Sequence, residues 1–332
     1  MSYVPTKLLV TGGMGFIGSN FIRMLLGRED ETYQIVNLDK LTYSGIPANL
    51  EDLADHPRYS FVEGDITDHE VVRLAMDGCD AVAHFAAEAQ VDKSITGPEV
   101  FAVTNVLGTQ VLLDEARALD VKRFHYVSTD EVYGHLGEDG FFTEDTPLLP
   151  NSPYSASKAG GDLLCRSYVK TFDQHITVTR CSNNYGPYPR LDNLIPVLTM
   201  KALNDEKLPL YGDGSNIRDW LYVEDHCTAI ETVLLNAEAG AVYNVGGHNE
   251  KTNLETAKLV LAELGKPEDL IEFVADRPGH DFRYAIDAAK IEQDLGWTPA
   301  HTFEEALPAT VRWLADHPEW LKTAQAHITS KS

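Results

Sequence analysis

Tyr154-Ser155-Ala156-Ser157-Lys158 sets a phenol and an ammonium four residues apart. On a helix that spacing puts both on one face. A free tyrosine has a pKa near 10, so only about one in a thousand is ionised at neutral pH. A neighbouring cation favours the phenolate, which would let Tyr154 take a proton from a substrate hydroxyl. Upstream, Tyr126-Val127-Ser128-Thr129-Asp130-Glu131-Val132-Tyr133-Gly134 reads as a strand that ends at Ser128 and is followed by a hydroxyl and two adjacent carboxyl groups. Thr129 can hydrogen-bond a reacting hydroxyl. Oxidation of an alcohol needs only a hydroxyl, the tyrosine and the lysine. Asp130 and Glu131 supply an acid and a base for a second step. Alone, each segment has a plainer reading: a packing pair on a helix, and an acidic helix start satisfied by water.

Elements must bring these residues together. Runs at Leu8–Thr11, Gln34–Asp39, Ser60–Gly64, Ala81–Ala86, Phe124–Ser128 and Thr177–Cys181 predict strands. Between them, Phe16–Leu26, Glu70–Met76, Pro98–Leu119 and Tyr154–Thr171 predict helices. Such alternation predicts the α/β class, a doubly wound parallel sheet with helices on both faces. Thr11-Gly12-Gly13-Met14-Gly15-Phe16-Ile17-Gly18 directly follows the first strand and opens the first helix. Gly13, Gly15 and Gly18 fit G-x-G-x-x-G, and Gly12, Gly15 and Gly18 give a wider spacing. That context, with an acid about 20 residues on, signals a dinucleotide whose pyrophosphate meets the helix N-terminus. The acid is Asp39, which would accept ribose hydroxyls and repel a 2′-phosphate, favouring NAD over NADP. A basic residue, Lys40, follows it and could hold a phosphate instead. Asp65 and Ile66, after the third strand, could contact adenine. A bound nicotinamide would add to Lys158 in lowering the Tyr154 pKa.

After Cys181 the style changes. Asn183–Pro196 is rich in Asn, Gly, Pro and Tyr and reads as a loop, and a mixed region of short elements follows. The expected division is a cofactor domain over 1–181 and a smaller α/β substrate lobe over 182–332. Asp219–Leu235 and Ala241–Gly246 are candidates to return to the sheet. The net charge of −24 excludes non-specific nucleic-acid binding. It gives a solvated, self-repelling surface, with adaptation to high salt as the other reading. A phosphorylated substrate would therefore need a few arginines acting at close range. Cys79, Cys165, Cys181 and Cys227 are scattered, so neither a disulfide framework nor a metal site is expected. No apolar run approaches the roughly 20 residues of a membrane span. The run from Met1 to Thr11 lacks the marks of a secretory signal, so a reducing cytoplasm is the expected setting.

Across nearly its whole length the chain resembles extended short-chain dehydrogenase/reductases of the Rossmann type, and among them the dTDP-glucose 4,6-dehydratases. The resemblance rests on Ser128–Gly134, Tyr154–Lys158, Ser182–Tyr188, Tyr211–Asp225, Gly246–Asn253 and Asp276–Asp287. It implies that Thr129 and Tyr154 hold the C4 hydroxyl of a nucleotide-linked hexose and that Tyr154 removes its proton. It also implies that Glu131 is the base at C5 and Asp130 the acid at the C6 hydroxyl, while a hydride leaves C4 for NAD and returns at C6. Asp130 must then stay protonated near neutrality, and burial and the adjacent carboxylate would both push it that way. By the same resemblance Phe16, Ile17, Asp39, Lys40, Leu41, Thr42, Asp65, Ile66, Phe85, Ala86, Ala87, Glu88, Thr104 and Asn184 line the NAD site, beside Gly12, Gly15 and Gly18. Substrate contacts fall to Glu88, Thr129, Asn183, Asn193, Leu194, Pro209, Tyr211, Arg218, Asn253, Arg277 and His280. Arg218 and Arg277 suit a pyrophosphate, which guanidinium grips bidentately. The helices Pro98–Leu119 and Tyr154–Thr171 have apolar faces, and the resemblance implies that such helices pair across a homodimer interface. Three departures stand out: Asn193 where the family has a lysine, Ala89-Gln90 for Ser-His, and Lys93 for an arginine. Related readings are a UDP-sugar dehydratase, a nucleotide-sugar epimerase or decarboxylase, and a non-catalytic NAD-binding regulator. Enzymes without dehydration have no need of Asp130 and Glu131 together, and a regulator no need of Tyr154 and Lys158.

Overall fold

Leu8 and Val10 are buried on one side of the first strand and Leu9 on the other, the period-two pattern of a sheet covered on both faces. The computed structural model describes residues 3–28, 33–137, 139–276 and 282–331. In chain order its elements are β1 (Lys7–Thr11), α1 (Phe16–Leu26), β2 (Gln34–Asp39), β3 (Tyr59–Glu63), α2 (His69–Met76), β4 (Ala81–His84), α3 (Val91–Thr96), α4 (Pro98–Ala102), α5 (Thr109–Ala118), β5 (Arg123–Thr129), α6 (Pro153–Phe172) and β6 (Ile176–Cys181). There follow β7 (Asn183–Tyr185), α7 (Leu194–Leu203), β8 (Leu208–Tyr211), β9 (Ile217–Tyr222), α8 (Val223–Asn236), β10 (Val242–Val245), β11 (Glu250–Thr252), α9 (Asn253–Glu263), β12 (Ile271–Val274), α10 (Ala289–Leu295), α11 (Phe303–Asp316) and α12 (Pro318–Lys331).

Seven parallel strands form the main sheet in the order β10-β6-β5-β4-β1-β2-β3. The direction of winding reverses between β1 and β4, the switch point at which such sheets bind ligands. Side chains of α1 and α8 (Phe21, Ile22, Leu25, Cys227, Ile230, Leu234) fill one face. Those of α2, α5 and α6 (Val72, Met76, Leu112, Ala116, Cys165, Tyr168) fill the other. Truncating one fully buried leucine of this core, such as Leu112, to alanine would cost about 2–5 kcal/mol.

Beyond β6 the chain builds a three-stranded sheet (β11-β9-β7) and a parallel pair (β12-β8). They pack with α7, α9 and α11 on a second core that includes Tyr185, Ile195, Leu210, Trp220, Val260 and Phe303. The path then crosses back: α8 covers the main sheet and β10 adds its seventh strand, while β9 stays in the second lobe. Asn183–Pro196 is not one loop. Asn183–Tyr185 pairs in register with Trp220–Tyr222, and α7 begins at Leu194. The helix expected over Pro98–Leu119 contains a π-turn at Val103–Gly108. Finally, α12 straps two loops. Ala324 is buried against Ile46 and Leu191, the Trp320 indole donates to Asn49 Oδ1 (3.0 Å), and His327 Nε2 donates to the Thr42 carbonyl (2.9 Å).

Candidate active site

A cleft runs along the carboxyl ends of the strands, from the Gly64 end of β3 to the Cys181 end of β6. Its floor at the switch point is the glycine turn. Gly12 has φ +73°, and a Cβ there would sit 2.6 Å from the Ala86 nitrogen, so no larger residue fits. Gly15 caps α1 with no side-chain acceptor and gives its own N–H to the Gly12 carbonyl (3.1 Å), while Phe16, Ile17 and Gly18 in the first turn face the cleft with N–H groups that have no partner among the described residues and could meet an anion. Gly13 instead packs against Asn37, whose Oδ1 accepts its N–H (3.0 Å).

Asp39 closes β2 on the cleft wall. It is buried and accepts the N–H groups of Met14 and Leu41 (2.9 Å each). Burial pushes its pKa up, and those N–H groups act against it. Lys40 Nζ pairs with Asp65 Oδ2 at 2.6 Å, so this cation already has its counter-ion. Thr42, Ile66, Phe85, Ala86, Ala87, Glu88, Thr104 and Asn184 also line the cleft. Leu41 does not: at φ +54° it turns in to pack beside the core under α1.

At the other end β5 and α6 meet. Ser152 and Ser155 form a capping box around Pro153, fixing the start of α6 one residue before Tyr154. Gly161 lets α6 approach closely, since a Cβ there would lie 2.4 Å from the Tyr126 hydroxyl. Lys158 consequently reaches the sheet, donates to the Val127 carbonyl (2.7 Å) and lies 4.3 Å over the Tyr126 ring. Burial lowers its pKa to about 8. Thr129, Asp130, Glu131, Tyr154 and Lys158 all line the same cleft.

The protein's own groups do not lower the Tyr154 pKa as expected from the sequence. Burial raises it, helped by Glu131 and Cys181, while Arg190 and Thr129 act the other way. Asp130 is 3% exposed, and its pKa is pushed well up by burial, then by Glu131 and Asp219. Thr129 Oγ1 donates to Asp130 Oδ1 at 3.3 Å, while Asp130 Oδ2 is buried with no partner among the described residues.

Of the expected substrate residues, Glu88, Thr129, Asn183 and Asn193 line the cleft. Leu194 starts α7 and packs on the second core. Pro209 and Tyr211 on β8, Arg218 on β9 and Asn253 at the start of α9 lie in the second lobe, off this wall. Arg218 is buried, donates to the carbonyls of Ile217 (2.7 Å) and Phe282 (3.2 Å), and its charge opposes the rise at Asp130. Asn253 keeps its buried Oδ1 without a partner among the described residues. Arg277 and His280 lie outside the described residues. Lys93 sits 3.4 Å over the Tyr43 ring, and the Tyr43 hydroxyl donates to Glu88 Oε2 (2.9 Å).

Two residues were not anticipated. Asn105, in the π-turn, accepts the Glu88 N–H (2.8 Å) and donates to the Glu88 carbonyl (2.9 Å) and to Ser157 Oγ (2.8 Å), tying Glu88 to α6. Arg190 lines the cleft beside Asn193. An Asn inside an apolar helical run and an Arg in a Pro-rich stretch gave no periodic signal. Among the described residues, no cluster of three or more His, Cys, Asp or Glu could hold a metal, and no helix is long and apolar enough to cross a membrane.

A glycine-turned βαβ unit, an acid closing β2, and a Tyr-x-x-x-Lys pair beside β5 define an extended short-chain dehydrogenase/reductase. The model for the GDP-mannose 4,6 dehydratase family matches residues 9–310, and the chain belongs to this family. It is 53% identical over 304 residues to the low-salt glycan biosynthesis protein Agl12 of Haloferax volcanii, covering 92% of this chain and 97% of that protein. With the dTDP-glucose 4,6-dehydratase of Neisseria meningitidis serogroup B it shares 49% identity over 337 residues, covering 95% and 94%. DesIV, the dTDP-glucose 4,6-dehydratase of Streptomyces venezuelae solved with NAD and TYD bound, superposes with a TM-score of 0.91 at 47% identity, covering 95% of this chain and 98% of that one.

Proposed function

We propose that this protein is a dTDP-glucose 4,6-dehydratase that uses bound NAD to make dTDP-4-keto-6-deoxyglucose and water. The observation that carries the reading is Asp130: a buried carboxyl, favoured in its neutral form, beside Glu131 and in one cleft with Tyr154. A simple alcohol dehydrogenase or epimerase has no use for it.

The residues fit NAD. Gly12 and Gly15 leave room for a pyrophosphate at the start of α1. Asp39 suits a free ribose diol, and Lys40, held by Asp65, is not waiting for a 2′-phosphate. When bound, NAD supplies a hydride acceptor at C4 and the same hydride back at C6, so the reaction is redox-neutral. Thr129 and Tyr154 hold the C4 hydroxyl, and Tyr154 takes its proton. Because the protein alone raises the Tyr154 pKa, a positive ring nearby is what would favour the phenolate. The resulting C4 ketone acidifies the C5 hydrogen, Glu131 removes it, and Asp130 protonates the C6 hydroxyl as it leaves as water. Glu131 then returns a proton to C5. Each positioned acid or base is worth about 10²–10⁴ in rate.

The named activity of the relatives and the TYD in DesIV support the dTDP nucleotide. Val100, Val103, Leu107 and Leu163, exposed on the neighbouring helices α4–α5 and α6, support a homodimer. Four buried, unbridged cysteines support a reducing, cytoplasmic setting. The test is incubation of pure protein with dTDP-glucose and with UDP-glucose, followed by the alkaline absorbance of a 4-keto-6-deoxy sugar. Product from dTDP-glucose is expected. Product from UDP-glucose alone would move the assignment to a UDP-sugar dehydratase, and product from neither would sink it.

A further inference from the structure

The cleft wall carries the acids Asp39, Asp65, Glu88, Asp130 and Glu131 in a chain of net charge −24. A nucleotide sugar enters with a doubly charged pyrophosphate, so it needs a local cation. Among the described residues three line the wall: Lys40, Lys158 and Arg190. Lys40 is paired with Asp65 at the β2–β3 end, and Lys158 is turned to the Val127 carbonyl. Arg190 remains. Its side chain is 17% exposed, and Asp192 grips it through Nε (3.2 Å) and Nη2 (2.7 Å). That grip aims a planar guanidinium whose Nη1 has no partner among the described residues. The loop itself is anchored by Leu191, buried against Ile46 and Ala324. The Asn193 N–H donates to the Arg190 carbonyl (3.2 Å), so one turn carries both residues to the wall. Arg190 is close enough to Tyr154 and Tyr43 for its charge to act on both phenols.

We infer that Arg190 is a substrate-binding residue that grips a phosphate of the nucleotide sugar and supplies the positive charge absent at Asn193. The inference rests on the dehydratase reading for its substrate but not for its ligand chemistry, which is a pyrophosphate. Asp192 is its positioning residue.

The experiment compares Arg190→Gln, Arg190→Lys, Asp192→Asn and the double variant Arg190→Gln/Asn193→Lys with wild type. It reads KM and kcat for dTDP-glucose and, by calorimetry, Kd for dTDP. Loss of one charge-assisted hydrogen bond raises Kd and KM about 10- to 100-fold. Arg190→Gln should do this with kcat falling by less than KM rises, since the phosphate contact is made in ground and transition states alike while the Arg190 charge also reaches Tyr154. Arg190→Lys, which keeps the charge but not the fork, should lose less affinity than Arg190→Gln and gives a reading even if the glutamine variant fails to fold. The double variant, with a cation restored at position 193, should recover at least about tenfold of the lost affinity. Unchanged Kd in Arg190→Gln would overturn the inference. So would a double variant that recovers none of the affinity lost in Arg190→Gln, because it would make the arginine only a loop brace. Should wild type give no product, the dehydratase reading fails, and dTDP affinity still decides Arg190.

Discussion

Asp130→Asn separates the chemistry from the architecture. The substitution keeps shape and removes the acid. Elimination should fall about 10²–10⁴-fold, the worth of one positioned proton donor. C4 oxidation, which does not use Asp130, should continue, so reduced cofactor accumulates and is read at the NADH absorbance. Stability carries a second signature. Burial, Glu131 and Asp219 raise the folded pKa of Asp130 above its unfolded value. Above about pH 4 the unfolded chain gives up this proton while the folded protein keeps it. The folded state then binds more protons, and stability falls with pH by about 1.4 kcal/mol per unit until folded Asp130 itself ionises. Asn does not titrate, so the variant escapes this slope. Its amide leaves a donor to satisfy where Oδ2 has no partner among the described residues, at about 1–3 kcal/mol, but that cost does not change with pH. Urea unfolding at successive pH values should therefore show the stability difference, variant minus wild type, rising with pH. A flat difference, or normal product formation, would refute the account of Asp130 as a buried neutral acid.

Glu131→Gln should also block elimination while leaving C4 oxidation visible as trapped NADH; normal turnover would remove Glu131 from the C5 role. Lys158→Met should lower kcat and change stability with a definite sign. Burial brings the folded Lys158 pKa down to about 8, so the folded state loses this proton first and wild-type stability recovers as pH rises from about 8 towards 10.4. The methionine variant lacks that recovery, and a parallel pH profile in urea unfolding would count against it. Raising KCl from 0.1 M to 1 M shortens the Debye length from about 10 Å to about 3 Å. With a net charge of −24 the Tm should climb over this range, and a fall would mean that self-repulsion is not a main cost of folding.

Much of the first body was legible because its signals are local. Gly12 to Gly18, Asp39 and the Tyr154–Lys158 spacing each follow or open an element whose periodicity is plain. What stayed hidden depends on distant partners. β7 has three residues in an Asn- and Gly-rich stretch and exists because Trp220–Tyr222 offers it a ladder. The π-turn at Val103–Gly108 has the same apolar face as an α-helix, so periodicity cannot show that Asn105 is turned to Glu88. The balance at Tyr154 is also a tertiary property: the lysine four residues on is visible in sequence, but the depth of burial and the facing Glu131 are not. Arg190 matters through Asp192 and the cleft wall, neither of which a linear spacing reveals.

The α12 strap has a mechanical consequence. It touches the loop after β2 through Thr42, Ile46 and Asn49, and the loop bearing Arg190 through Leu191. The walls of the cleft cannot part on that side without either separating Ala324 from Leu191 or breaking the Trp320 and His327 bonds to the loop after β2. Widening the mouth there thus disturbs the seat of a whole helix rather than one loop.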